Sequence, residues 1–489
     1  MKKRIVSVIC CVMIASMLFT IVSCRRNEET SNDSETTNDV SEIATDKNGL
    51  EVDGIEEYID YGGREVGILG WSGGGEIDFD RQSGTTLAHA IFARNAAVEE
   101  RLGVKLRINS SINGGNPTQA EYIATVETML SGATDYDLLA PYSMIPAVLA
   151  MDGFLVNLAE KEQLQLEGKP WWSQDILENS LINGKVFFMS GPISPKLLYE
   201  TMAIMVNLDM VDAYMLEDPR TLVKDYKWTM EKMFEMSRGI GTDVTGNGKD
   251  DGDKYGLIMV NTLVDGFVAS NGMRYLDGYI DQNTNVETLF LDRDFDNGLK
   301  IIDLIDRISS VTKTPDVWVV NSTNSFYLGN ALFLTATFDN IRENKEKMTF
   351  NYGYLPYPME SEDQQRYYST AGFPYSMWCI PKASLDTDCA AYTLECLASE
   401  SYRKVQPVVH DDIKFKFSGD VINTEMFDII VGSITFDYGR LFNNNFTFVQ
   451  SPVWTFRDSV VSGASFSTAI AANRNHINET LVRLNKLFA

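Results

Sequence analysis

The sequence predicts an α/β fold, and two observations lead there. Between residues 65 and 140, short apolar runs alternate with amphipathic stretches in the order β-α-β-α-β. The 489 residues are 44% hydrophobic and 11% aromatic, which supplies the core that packed sheet and helix layers need.

The elements follow in order. Glu65–Gly70 is a short apolar strand that runs into the loop Trp71–Gly75. A helix is predicted over Leu87–Leu102, because Leu87, Ile91, Val98 and Leu102 fall near one face and Gly103 suits a left-handed cap. Val104–Ile108 is the second strand. Ala120–Ser131 is the second helix, with Tyr122, Val126 and Met129 on one face and Gly132 ending it. Tyr136–Ala140 is the third strand. This order implies a parallel sheet with right-handed crossovers. Ligands of open α/β sheets bind beyond the carboxyl ends of the strands, here the loops Trp71–Gly75 and Pro141–Ser143. Further strands are predicted at Gly184–Met189, Ala203–Asn207, Leu332–Thr335, Tyr352–Leu355 and Met377–Ile380. Further helices are predicted at Trp228–Arg238, Ala390–Ser399 and Ile477–Leu487.

Charge narrows the partners. Lys and Arg number 42 against 68 Asp and Glu, a net charge of −26. Nucleic-acid binding and polybasic membrane binding both need clustered cations, so both are disfavoured. The three histidines, His89, His410 and His476, lie far apart, which weakens a catalytic zinc site.

Lys2, Lys3 and Arg4 precede the uncharged run Ile5–Val22. Ile21-Val22-Ser23-Cys24 has the form of a bacterial lipobox, with Ile where Leu is usual. Ser23 is small enough for signal-peptidase cleavage, and the Cys24 thiol would accept diacylglycerol. An ordinary signal peptide or an anchor helix is the alternative. The expectation is a lipoprotein signal over 1–23 and a membrane anchor of two or three acyl chains, palmitate among them, on the extracellular face of the cell membrane. Cleavage removes Lys2, Lys3 and Arg4 and takes the net charge to −29. Residues 24–53 are rich in Ser, Thr, Asn, Asp and Glu without periodicity, and read as a flexible acidic tether. Cys379, Cys389 and Cys396 then remain, either as buried thiols or as one disulfide and one thiol.

A family resemblance emerges from landmarks that run collinearly along the mature chain. His89–Val104 resembles a first helix and its exit. Leu130–Leu139 resembles a small-residue turn, an Asp and a third strand. Pro170-Trp-Trp172 and Ile182–Lys185 resemble the approach to an interlobe crossover. Trp228-Thr-Met-Glu resembles the opening of a second-lobe helix, and Asn351–Pro358 a strand-and-proline segment near a second crossover. Together they resemble the extracellular solute-binding proteins of bacterial ABC importers, in particular the sugar-binding family related to maltose-binding protein. The resemblance implies a two-lobe periplasmic-binding-protein-like (type II) fold with hinge strands and a central cleft. Lobe one is expected over 54–195 plus 375–425, and lobe two over 196–374 plus 426–489. It further implies a monomer that is not an enzyme, captures an oligosaccharide and delivers it to permease subunits.

Position within that fold selects candidate ligand contacts, each with packing or a hinge ion pair as its alternative. Rings cover the C–H face of a pyranose, while carboxylates, amides and guanidinium groups satisfy hydroxyls. Trp71 and Ser72 follow the first strand, and Tyr142 and Ser143 the third. Tyr199 and Glu200 lie at the first crossover, Phe373 and Tyr375 at the second. Phe338, Asp339, Asn340 and Arg342 follow the strand Leu332–Thr335. Trp454 and Arg457 precede the C-terminal helix, where sugar-binding relatives place a stacking Trp.

One loop, Asp243–Asp251, has oxygen-bearing Asp243, Thr245, Asn247 and Asp251 around Gly248, as in an EF-hand. Lys254 stands at the twelfth position, so a true EF-hand is excluded. A structural calcium site and an exposed acidic turn are the two readings, and no other cofactor is expected. No G-x-S-x-G, H-E-x-x-H or Walker-type loop occurs. A surface glycoside hydrolase with paired carboxylates, or the same fold binding a peptide or another small solute, are the remaining alternatives.

Overall fold

The computed structural model describes residues 44–489 apart from 56–58, 79–83, 117, 130, 133–134, 282–285, 291–295, 417–420 and 448–449. The signal segment, Cys24 and most of the tether lie outside the described residues.

The first sheet contains β1 (Arg64–Gly70), β2 (Val104–Asn109) and β3 (Leu138–Ala140) in the order β2-β1-β3, all parallel. The helix Thr86–Leu102 connects β1 to β2. Thr85 caps its start, and Gly103, at φ 58°, ends it. A Cβ at Gly103 would lie 2.6 Å from the Asp60 carboxylate, so both φ and space require glycine. Ile91, Val98 and Leu102 bury the predicted face of this helix. The helix Gln119–Met129 buries Tyr122, Val126 and Met129.

The second sheet has the order β10-β4-β9-β5-β8, built from β4 (Met202–Asn207), β5 (Tyr255–Val260), β8 (Val317–Val320), β9 (Ala331–Thr337) and β10 (Tyr352–Leu355). β5 runs parallel to β8 and β9, while β4 runs antiparallel to β9 and β10. The hairpin β6 (Asp277–Asp281) and β7 (Val286–Phe290) stands apart from this sheet. β4 and β9 are buried at every position, which explains their unbroken apolar runs.

Three chain crossings join the two sheets. In the first two, Gly372 N donates to Glu200 O (2.7 Å) and Met202 N to Thr370 O (2.8 Å). The third segment pairs through Thr435 N to Ser369 O (2.7 Å) and Ser369 N to Ser433 O (2.8 Å). The C-terminal helix Phe466–Phe488 clamps elements of both halves. Asn485 exchanges hydrogen bonds with Leu289 on β7 (2.7 and 2.9 Å), and the Phe488 ring packs on Phe187 and Phe442.

Several elements depart from expectation. Gly184–Met189 and Met377–Ile380 form no regular strand. They meet through the single bridge Met189 to Trp378, and Cys379 bridges Leu139 on β3, because the chain crosses here rather than running beside one partner. The C-terminal helix starts at Phe466 instead of Ile477, since Ser465 caps it there. The helix over 390–399 extends to Thr387–Lys404, with Asp386 capping it. Val421–Val431, whose first residues were placed in lobe one, packs instead against β10. Cys379, Cys389 and Cys396 are all free and buried.

The tether does not reach Asp53. That carboxylate is buried and joins Arg101 (2.6 Å), Arg403 (3.3 Å) and the Ser399 hydroxyl. Burial would push its carboxyl up, but hydrogen bonds from Arg101 and Ser399 and the charges of Arg101 and Arg403 hold it at about 2. Asp53→Ala leaves both guanidinium groups without this partner and is expected to cost about 3–5 kcal/mol in urea unfolding. Because the folded value is depressed, the stabilisation is fully present above the ordinary 3.8 and disappears as pH falls through about 2. A variant–wild-type gap that does not close in acid would refute the assignment.

Candidate functional site

The loop after β1 turns Trp71 inward. Its indole Nε1 donates to Ser376 Oγ (3.0 Å), and its ring meets Tyr142 edge-on at 5.2 Å. Close behind, the Glu76 carboxylate accepts from Ser194 Oγ, Lys196 N (2.7 Å) and Ser376 N (3.0 Å). Burial pushes this carboxyl up, against those hydrogen bonds. The loop after β1 is thereby tied to the first and second crossings.

The loop after β3 brings in Tyr142 and Ser143. Ser143 donates from its hydroxyl to Phe373 O (2.6 Å) and from its N–H to Tyr375 O (2.9 Å). This fixes the second crossing, so the Phe373 ring faces Trp454 at 6.1 Å. Trp454 and Arg457 share one side of the helix Pro452–Ser462, and the Arg457 guanidinium lies 4.5 Å above the Trp454 ring. Trp454 is half-buried and Arg457 buried.

Two residues that sequence reasoning missed complete the cluster. Asp265, fully buried at the start of a short helix, accepts from Arg457 Nε (3.1 Å) and Nη2 (2.9 Å) and pairs with Arg440. Arg440 also donates to Ala371 O (2.6 Å) on the second crossing and lies 4.4 Å over the Phe373 ring. No local motif marks Asp265 or Arg440, since 192 residues separate Asp265 from Arg457. A small cavity of about 10 Å³ lies beside this cluster, lined by Ser143, Gly372, Phe373, Tyr375 and Arg440. That is barely the room for one water. A larger cavity, of about 270 Å³, lies beside the hinge between Trp172, Pro195, Leu198, His410 and Ile434. Its acid, Asp175, is already engaged by Phe436 N (2.7 Å) and Thr435 Oγ1 (3.2 Å).

The remaining candidates divide. Glu200 sits against Gly372 and within electrostatic reach of Tyr142, Asp339 and Glu76. Burial first, then the charge of Asp339, pushes its carboxyl up to about 8. Tyr199 donates to Asp412 (3.0 Å), and Arg342 lies 4.9 Å over its ring while pairing with Asp339. These three therefore form a hinge-side ion and ring cluster. Phe338 is corrected: it has no exposed surface and packs on Tyr354 and Phe427 inside lobe two. Asn340 closes a capping box with Thr337, a local helix role. Tyr375 is buried against Phe436. Ser72 is exposed, and its hydroxyl contacts Asn113 (3.2 Å).

In the acidic loop, Thr245 Oγ1 lies near Asp243 (3.4 Å), Asn247 (2.9 Å), Asp250 (3.1 Å) and Asp253 (3.3 Å). Asp251 is corrected as a fourth ligand. Its carboxylate turns to Ser322 Oγ (2.7 Å) and Asn324 Nδ2 (3.1 Å). Asp243 is engaged by the N–H groups of Gly246 and Gly248, and Asp253 by those of Val244 and Thr245. Among the described residues, no group of three or more acidic, cysteine or histidine side chains is arranged to hold a metal. The loop does not fit the proposed calcium set.

No family model matches the chain, and no curated protein matches it in sequence. Solved structures do. The ABC substrate-binding protein Lmo0181 from Listeria monocytogenes, in complex with cycloalternan, is 14% identical at TM-score 0.54, over 86% of this chain and 99% of its own. A cyclic alpha-maltosyl-1,6-maltose binding protein from Arthrobacter globiformis is 12% identical at TM-score 0.56, over 86% and 99%. UgpB from Mycobacterium tuberculosis, in complex with glycerophosphocholine, is 14% identical at TM-score 0.54, over 85% and 98%. These likenesses assign the fold: the type II periplasmic-binding-protein architecture of two lobes joined by hinge strands. No helix among the described residues is long and apolar enough to cross a membrane.

The Glu200 carboxyl provides a pH test of this hinge geometry. Its folded value is raised from 4.5 to about 8, so its contribution to stability is fully present below 4.5 and is lost as pH rises through about 8. Glu200→Gln carries no charge at any pH. Its thermal midpoint is expected to rise relative to wild type as pH increases from about 5 to about 9. Parallel curves for the two proteins would refute the burial of an acid at this position.

Proposed function

We propose that this chain is a lipid-anchored extracellular receptor that captures a carbohydrate between its lobes and delivers it to an ABC importer. The single observation that carries the reading is the junction of Trp71, Tyr142, Phe373, Trp454 and Arg457, where rings and hydrogen-bonding groups from both lobes meet at the crossings. Rings of this kind stack on pyranose faces while the polar groups take the hydroxyls. A ligand would enter as the lobes part. Ligand contacts to both lobes then favour the closed arrangement, a population shift rather than chemistry. Cycloalternan and cyclic alpha-maltosyl-1,6-maltose are the partners named for two neighbours of this fold, which supports an oligosaccharide. The glycerophosphocholine complex of a third makes another small solute the second reading. Closure would present one surface to the permease subunits, and Cys24 acylation would keep the monomer at the membrane.

A thermal-shift panel of mono- and oligosaccharides tests the capture step. At about 100 times Kd, a ligand should stabilise the folded chain by about 2.7 kcal/mol, and Trp454→Ala should remove the shift from the best ligand. An unchanged shift in that variant would take Trp454 out of the site. Cleavage of the sugar during incubation would replace the receptor with a hydrolase.

Anchoring is tested separately. Cys24→Ser should move the protein from the membrane fraction to the soluble fraction and abolish incorporation of a labelled fatty acid. Retention of the label would place the lipid elsewhere.

A further inference from the structure

We propose that the ligand carries an acidic group, and that Arg440 and Arg457 receive it at the interlobe junction. The inference rests on the receptor reading above and names the chemical class of its ligand.

The observation is a charge imbalance in a dry place. Two guanidinium groups, Arg440 at 4% exposure and Arg457 at 7%, share the single carboxylate of Asp265, which has no exposed surface. The neighbouring charges do not close the gap. Asp437, buried at the third crossing, is spent on the N–H groups of Gly439 (2.6 Å) and Arg440 (3.3 Å). Asp339 is matched by Arg342. Burial first, then the charge of Asp339, pushes the Glu200 carboxyl up, and among the described residues it makes no ion pair with either guanidinium. Among the described residues, two guanidinium groups therefore share one carboxylate. A buried charge without a counter-charge is costly, and a pair of like charges on one partner more so. Burial and mutual repulsion push Arg440 down to about 9, and burial pushes Arg457 down to about 10.

The geometry matches an oxyanion rather than a neutral hydroxyl. Both guanidinium carbons lie over the Phe373 ring, at 4.4 and 5.5 Å, and a guanidinium offers its hydrogen bonds in its own plane. Asp265 takes the Nε and Nη2 edge of Arg457, and Ala371 O takes one donor of Arg440. Each guanidinium has five N–H donors, so several are left for a ligand carboxylate or sulfate. Beside Arg440 there is also room. It lines a cavity of about 100 Å³ together with Arg274, Asp437, Thr435 and Thr370, whose buried hydroxyl has no partner among the described residues.

The test compares one glycan in two charge states. Trigalacturonate and its trimethyl ester share ring, linkage and length and differ in charge. Isothermal titration of the full-length protein is expected to show the acid binding at least about tenfold tighter than the ester, the scale of one charge-assisted hydrogen bond. Raising salt should weaken the acid far less than it weakens an exposed ion pair, because the site excludes water. In Arg457→Gln, the cluster is one carboxylate to one guanidinium, and the ratio of acid to ester affinity should fall to about one. Inorganic sulfate and free galacturonate serve as further arms: binding of sulfate alone would make this an inorganic-anion site and overturn the glycan-acid assignment. Equal or tighter binding of the ester, or of neutral oligosaccharides over acidic ones, would overturn the inference and leave the receptor reading standing. No binding by any glycan of either series would overturn both. The wild-type comparison needs no variant, so a folding defect in Arg457→Gln does not remove the test.

Discussion

The structure depends first on how three crossings are held to one another by backbone hydrogen bonds. Glu200 with Gly372, Met202 with Thr370, and Ser369 with Ser433 and Thr435 make a narrow ladder between two separate sheets. Such a ladder is stiff along its hydrogen bonds and compliant in rotation about its length, the property a hinge needs. Side chains then fasten each lobe to it. Glu76 reaches Ser194, Lys196 and Ser376, so the loop after β1 moves with two crossings at once. Ser143 does the same for the loop after β3 through Phe373 and Tyr375. Both loops that a parallel sheet offers to a ligand are therefore attached to the hinge itself.

Asp265 extends the same logic to the other lobe. Its carboxylate draws together Arg440, near the third crossing, and Arg457, on a helix of the C-terminal segment. Arg440 then bonds Ala371 on the second crossing. A ligand contact to Arg457 or Trp454 is thus one short step from the hinge backbone. In a buried network of this kind each charge depends on its neighbours, so a change at one member is felt by all.

Much of the fold was legible in the sequence, and the exceptions have physical reasons. The first five elements follow from apolar spacing and from Gly103, because each is a local pattern with a local cap. Gly184–Met189 and Met377–Ile380 have the composition of strands but are crossing segments, since a buried single bridge and a buried ladder demand the same apolar residues. The buried tie of Asp53 to Arg101 and Arg403 joins positions far apart in the chain, and no window of sequence contains it. The site shows the same division. Trp71 and Tyr142 could be named because each follows a strand, Phe373 because it sits at a crossing, and Trp454 and Arg457 because the family resemblance places a stacking Trp before the C-terminal helix. Asp265 and Arg440 could not, and Phe338 looked like a rim residue because an N-terminal helix turn and a cleft rim have similar composition.

The acidity of the chain bears on this site in a way that composition alone conceals. A net charge of −26 is a statement about the surface, where water and salt screen each charge over roughly 8–10 Å. The Arg440–Asp265–Arg457 cluster is not on that surface, and its excess charge has the opposite sign. An acidic ligand would be slowed on approach by the outer field, which acts on encounter rates. Once past the rim it would leave the screened region and meet two guanidinium groups in a medium where attraction is several times stronger than in water. The discrimination would then lie in how slowly the ligand leaves rather than in how fast it arrives. Closure of the lobes serves the same end, because expelling water from a charged pocket strengthens every contact in it. A surface of one sign around a dry site of the other therefore favours selectivity over speed, which suits the proposed capture role.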